Sequence, residues 1–334
     1  MKRHKLISAI LVTGTTIAAS IASAQDVIEL NFSTYLPPSY AYTWDPIESF
    51  VEQVETESEG RVKFNVFHSG QLFDGYQELS ALSRGDVDMV NMTGTYPSGT
   101  VPALSVFTLP FMFNDIDHLE RALDAGLMDL GIKDELREMH NTVVLGVAPF
   151  DPYQFYSKKD PILTLEDIRN KVWATTGAID ARAIQLMGGS PTGMSSSELY
   201  LSFDRGVIDG TPRPLLTGVG RSLFEVVGHL SLATFAVDTS ILSINAEKWA
   251  SIPTDIQEII SRAATQRDKS AFAQVEEFMK TALTDFEAEG MEIHEISDVE
   301  LEKMKAATSP ATTEWLEKVS NGQEYLDLVE KTRQ

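Results

Sequence analysis

"ELSALSRGDVDMV" (78–90) and "ELYLSFDRGVIDGT" (198–211) are two versions of one sentence. Each enters a helix at Glu-Leu, leaves it at Arg-Gly (Arg84-Gly85, Arg205-Gly206), and continues into an aliphatic residue and an aspartate that open a strand. Arg-Gly alone is a common helix ending, because glycine accepts the left-handed conformation and arginine complements the helix dipole. The repeated strand after it makes the echo more than a shared cap. A separation of 121 residues is too long for a solenoid repeat and about the size of one α/β lobe. The reading is therefore two similar lobes in one chain.

Outward from the echo, short β-type runs alternate with helical ones. "VIELNFSTYL" (27–36) reads as a strand. "WDPIESFVEQVETESEG" (44–60) reads as a helix with Ile47, Phe50, Val51 and Val54 on one face and Gly60 as its stop. "RVKFNVFHSG" (61–70) is again a strand. Strand-helix-strand order predicts largely parallel, buried sheets. The chain crosses between lobes near "NTVVLGVAPFDPYQFYS", at Pro149 and Pro152. Lobe one then spans 25–149, lobe two 150–240, and 241–334 holds a return strand, "DTSILSINAEKW", and a helical tail. In that tail Ile256, Ile259, Ile260, Phe272, Val275, Phe278 and Met279 recur at helical spacing, predicting a long helix that braces both lobes.

The first 24 residues read as an export signal: Lys2, Arg3 and Lys5, an apolar run from Leu6 to Ile21, and an Ala22-Ser23-Ala24 cleavage pattern. Cleavage before Gln25 leaves 310 residues, and losing three cations takes the formal charge from −22 to −25. Nucleic acid and anionic membranes are poor partners for such a surface, and no membrane insertion is expected after processing. With no cysteine and six scattered histidines lacking H-x-x-x-H spacing, neither a metal nor any other cofactor is expected. The processed chain has no G-x-S-x-G nucleophile elbow, and "SSSEL" (195–199) reads as a helix N-cap, so no catalysis is expected either.

Candidate binding residues come from strand ends, where open α/β sheets receive ligands. "KVWATTG" (171–177) runs from a strand, Val172 to Thr175, into a helix near Gly177, which places Trp173 at such a mouth. Tyr40, Tyr42 and Trp44 follow the first strand and Tyr96 follows the repeat strand. Asp151, Tyr153 and Phe155 lie at the crossover. Each aromatic taken singly is ordinary packing; together they suggest a cage.

In order and spacing, "FHSGQLFDGYQEL", "RGDVDMV", "LPFMFND", "LTLEDIRNKVW", "GGSPTGMSSSELY", "RGVIDGTPRP" and "SINAEKWASIPTDIQ" resemble the extracytoplasmic solute receptors of TRAP transporters, the DctP-like family. The resemblance spans nearly the whole processed chain. It implies a two-lobed periplasmic binding protein, type II-like, whose long C-terminal helix spans both lobes. It also implies closure on a small solute and delivery to a membrane permease. In that family the strand pattern is typically K-I-R, with the arginine gripping a carboxylate; here Trp173 stands in its place. A second basic position falls at or near Tyr153. Where the family commonly reads D-G-Q-E-N-P, this chain has "DGTPRP", which puts Arg213 at the asparagine that lines the carboxylate site. The resemblance leaves two expectations open. One is a betaine-like zwitterion, its cation on Trp173 and the aromatic cage and its carboxylate on Arg213; the other is a simple organic-acid anion held by Arg213 against an apolar wall.

Overall fold

The structure, a computed structural model, describes residues 27–333; the export signal and its cleavage site lie outside the described residues. Eleven strands among the described residues form two sheets. The first, ordered β2-β1-β3-β10-β4, uses β1 (Ile28–Ser33), β2 (Val62–Phe67), β3 (Met89–Thr93), β4 (Thr142–Pro149) and β10 (Thr239–Asn245). The second, ordered β11-β9-β5-β8-β6-β7, uses β5 (Tyr153–Ser157), β6 (Val172–Thr175), β7 (Ser190–Gly193), β8 (Gly210–Pro214), β9 (His229–Leu232) and β11 (Glu292–Glu295).

The echo is realised in both lobes. Helix Glu78–Arg84 ends at Gly85, whose φ of 76° only glycine adopts freely, and leads to β3. Helix Leu199–Asp204 ends through Arg205 into Gly206, φ 68°, and leads to β8. Both following strands are buried throughout. Their helices cover the sheets, as the apolar runs required.

The sheets are less parallel than strand-helix alternation predicts. Pairs β1/β2, β1/β3, β6/β7, β6/β8 and β9/β11 are parallel, whereas β10 runs antiparallel to β3 and β4, and β5 antiparallel to β8 and β9. The reversed strands are the two that receive the chain just after it changes lobe, so their direction is set by the crossing. The two crossings also pair with each other: Phe150 N–H donates to Asp238 O (2.9 Å), Tyr153 N–H to Ala236 O (2.8 Å) and Phe235 N–H to Tyr153 O (2.9 Å). This ladder is the hinge.

Helix Thr254–Ala288, 35 residues long, spans the lobes. Its Ile256, Ile260, Ala263 and Ala264 enter the core beneath β1 and β2, and its Ala282 and Phe286 enter the lobe-two core around Tyr156 and Leu230. At 1.5 Å per residue such a helix is roughly 50 Å long, enough to cross both units.

Candidate functional site: the interlobe cleft

A pocket between the lobes is lined by Tyr35, Tyr40, Thr93 and Tyr96 from the first, Phe150 and Tyr153 from the hinge, and Thr176, Ser196, Arg213, Pro214 and Thr217 from the second. Each lobe contributes residues at or near the ends of its strands, as open α/β sheets do. The cleft is shut: its cavity measures about 20 Å³, room for little more than a water. Across the seam Tyr96 Oη accepts the Ser196 N–H (3.1 Å), Tyr76 Oη donates to Thr176 O (3.0 Å), Ser39 Oγ donates to Gly220 O (2.9 Å) and Tyr40 Oη donates to Thr217 Oγ1 (3.3 Å).

Arg213 is the chemical centre of this pocket. It sits on β8, 2% exposed, and donates from Nη1 to Pro212 O (2.8 Å) and from Nη2 to Met194 O (3.2 Å). Among the described residues no carboxylate comes within ion-pair distance of it. Two carbonyls fix the plane of the guanidinium without neutralising it, and three of its five N–H donors are not spent on them. A buried cation left uncompensated is costly, and an anion arriving from outside removes that cost.

The surrounding titratable groups are desolvated. Burial raises the Asp180 carboxyl above the usual range, with the nearby Arg213 charge opposing the rise, while the carboxyl also caps its helix by accepting from Thr176 N–H and Gly177 N–H (2.7 Å each). Burial pushes Asp238 up to about 6, although Thr95 Oγ1, Tyr153 Oη and the Thr239 N–H all donate to it. The Tyr96 and Tyr153 phenols are likewise raised by burial, against the pull of Arg213. These hydroxyls are neutral donors and acceptors, suited to orienting a ligand.

Of the residues singled out from the sequence, Tyr40, Tyr96, Tyr153 and Arg213 meet in this pocket, and five others, Tyr42, Trp44, Asp151, Phe155 and Trp173, do not. Trp173 is fully buried inside lobe two. Its ring packs edge-on to Phe155 at 5.6 Å between centroids, and its Nε1–H donates to Ile168 O at 3.0 Å. Glycines make the space: a Cβ at Gly210 would lie 2.7 Å from the indole, and one at Gly189 2.8 Å. An arginine in that socket would need an anion; an indole needs only apolar neighbours and one acceptor, so it joins the core. Phe155 belongs to the same core. Asp151 is a structural carboxylate: it accepts from Leu215 N–H and Leu216 N–H at the start of helix Leu215–Gly220 and from Tyr42 Oη (2.8 Å). Trp44, edge-on to His68 at 5.3 Å, lines an outer groove of lobe one with Ile47, Glu48 and Val51.

Sequence reading missed Tyr35, Thr93, Phe150, Thr176, Ser196, Pro214 and Thr217. Thr176 carried a signal, since it is the first residue past β6, whereas Trp173 lies inside the strand. Ser196 did too: Ser195 and Glu198 form a capping box that presents the next backbone N–H groups toward lobe one.

Two lobes, a paired crossing between them and a charged cleft between strand ends define a two-lobed solute receptor. The chain belongs to the DctP family, bacterial extracellular solute-binding protein family 7, whose model matches residues 32–318, and it is a periplasmic solute-binding protein of the TRAP transporter class. A solute-binding protein of Chromohalobacter salexigens is 26% identical over 299 residues, covering 89% of this chain and 88% of its own. A TRAP periplasmic solute-binding protein of that species, crystallised with D-glucuronate, superposes with a TM-score of 0.85 at 24% identity, covering 91% of this chain and 99% of its own. DctP7 of Bordetella pertussis, a receptor binding pyroglutamic acid, superposes with a TM-score of 0.86 at 17% identity, covering 91% and 100%.

Proposed function

We propose that the protein captures a small organic acid by its carboxylate on Arg213, closes over it, and hands it unchanged to the membrane permease of a TRAP transporter. The observation that carries this reading is the buried Arg213 guanidinium, oriented by two carbonyls with no carboxylate within ion-pair distance among the described residues. Two of the similar receptors hold carboxylic acids, glucuronate and pyroglutamic acid, and another holds the anion sn-glycerol-3-phosphate. The cavity of about 20 Å³ supports a solute that enters an opened form and holds the walls apart in the reclosed one. Ligand binding of this kind shifts the open–closed equilibrium by its extra contacts in the closed form.

A betaine-like zwitterion is the second reading. The rings of Tyr35, Tyr40, Tyr96, Tyr153 and Phe150 all line the pocket, and aromatic faces attract onium groups. Trp173, from which that expectation began, is not among them.

Calorimetry against uronates, pyroglutamate, dicarboxylates, 2-oxo acids and betaines separates the readings. The expected result is one acid per chain, recovered unaltered, with Arg213→Ala weakening it by about 1.5–3 kcal/mol, the scale of hydrogen bonds to a charged group. An unchanged dissociation constant in Arg213→Ala overturns the clamp. Preference for betaines over every simple acid selects the second reading, and conversion of the solute overturns the receptor role.

A further inference from the structure

His229 and His294 are 65 residues apart in the chain, with the long helix between them, and neither lines the cleft. The pairing of β9 with β11 brings them together. These strands run parallel, with Glu292 opposite His229 and His294 opposite Ser231. Residues 292 and 294 share one face of β11, since side chains alternate along a strand. His229 Nδ1 lies 3.1 Å from His294 Nε2, and Glu292 Oε2 lies 3.7 Å from the first and 3.8 Å from the second. All three ligand atoms fall within 4.8 Å of one another.

The far side of His229 settles its tautomer. Its Nε2 is 2.9 Å from the carbonyl oxygen of Lys159, which can only accept, so Nε2 carries the proton and neutral Nδ1 presents its lone pair to His294 and Glu292. Histidines that bind metals are commonly oriented in this way by a carbonyl on the other ring nitrogen. A tetrahedral ion with bonds of about 2.0–2.1 Å to nitrogen sets its ligand atoms roughly 3.3 Å apart, close to the 3.1 Å between the two imidazoles. The Glu292 side chain, 68% exposed, can close the remaining few tenths of an ångström by rotation. The alternative for the pair is a simple hydrogen bond from His294 Nε2–H to His229 Nδ1, which leaves Glu292 without a role.

We propose that His229 Nδ1, His294 Nε2 and Glu292 Oε2 form a zinc site on the outer edge of lobe two, with water as the fourth ligand. Two imidazoles and one carboxylate are a donor set that suits Zn²⁺. The site clips β11, the first strand after the long helix, to β9, and so fastens the C-terminal layer to lobe two.

The test uses the whole processed chain, stripped with chelator and titrated with Zn²⁺ alone. One ion per chain is expected, with a higher melting temperature and, on Co²⁺ substitution, the visible absorption of a tetrahedral ion. His229→Gln and His294→Gln should each weaken Zn²⁺ binding by at least about tenfold, since even residues that only support ligands cost that much, and should abolish the melting shift. Glu292→Gln should fall between them and the wild type. Undiminished binding in either histidine variant, or a wild-type Co²⁺ spectrum without tetrahedral bands, overturns the site. The spectrum decides the matter even if a histidine variant fails to fold.

Discussion

The phenol oxygen of Tyr96 in lobe one accepts the backbone N–H of Ser196 in lobe two at 3.1 Å. Beside the same cleft, Gly177 leaves no room for a side chain: a Cβ there would lie 2.9 Å from Thr95 Cγ2 and 2.9 Å from Ser98 Oγ. One contact rewards closure, and the other permits it. Tyr96→Phe is expected to lower solute affinity about two- to tenfold, the equivalent of one neutral hydrogen bond. Gly177→Ala is expected to lower it further while leaving the melting temperature within a few degrees, because the clash exists only when the lobes meet. Calorimetry paired with small-angle scattering checks both; a Gly177→Ala protein that binds and compacts like the wild type would remove Gly177 from the closure mechanism.

Trp173 makes a different prediction from the one its sequence position suggests. Trp173→Ala should destabilise the protein by roughly 3–5 kcal/mol, as large-to-small changes in cores do, and Trp173→Phe by less. Trp173→Arg buries a cation among Phe155, Ala183, Ile184 and Met187, so it should unfold lobe two rather than admit new acids. Denaturant melts decide this. A stable Trp173→Arg protein with a gained carboxylate affinity would return Trp173 to the site.

Arg213 should show a trade between stability and function. Because its charge is buried with no carboxylate within ion-pair distance among the described residues, and Asp180 attracts it only from farther away, Arg213→Met is expected to melt close to the wild type without solute, while losing the rise in melting temperature that the solute confers on the wild type. Thermal melts with and without the identified acid provide the check; a markedly lower melting temperature in the solute-free variant would show that the guanidinium is there for stability.

The buried carboxyls set a pH dependence. Asp151 and Asp238 are both pushed up to about 6 by burial, from a reference of 3.8. Between those values the native state holds more protons than the unfolded chain, so stability falls as pH rises through that window. The cost is on the order of 1–3 kcal/mol per group at neutral pH. Glu55 and Asp167, held low by hydrogen bonds that outweigh their partial burial, act oppositely and lose their contribution as pH falls below the reference carboxylate range. Melting temperature is therefore expected to be highest at about pH 4 and to drop as pH rises toward 6. Asp238→Asn, which keeps an acceptor for Tyr153 and Thr95 but cannot ionise, should flatten part of that drop. An Asp238→Asn profile parallel to the wild type would assign the drop elsewhere.

Much of this protein is written in local patterns. The Glu-Leu to Arg-Gly echo specified two lobes, because a helix stop followed by a buried strand is decided within about a dozen residues. The spacing of Ile256, Ile260, Val275 and Phe278 specified the long helix for the same reason. Tyr40, Tyr96 and Tyr153 were legible as residues of the interlobe pocket because each lies near the end of a strand or at the crossing between lobes, and Arg213 was legible only through the resemblance of "DGTPRP" to the family's motif. Only the tertiary structure decided what a strand's alternation leaves open, namely which neighbours each face meets. Trp173 faces a socket made by Gly189 and Gly210, one from the loop before β7 and one from β8, and that socket draws the indole into the core. Asp151 faces the start of a helix 64 residues away, which makes it a cap. His229 and His294 show no ligand spacing along the chain, because their meeting depends on the register of β9 against β11, a non-local pairing that one-dimensional periodicity does not encode.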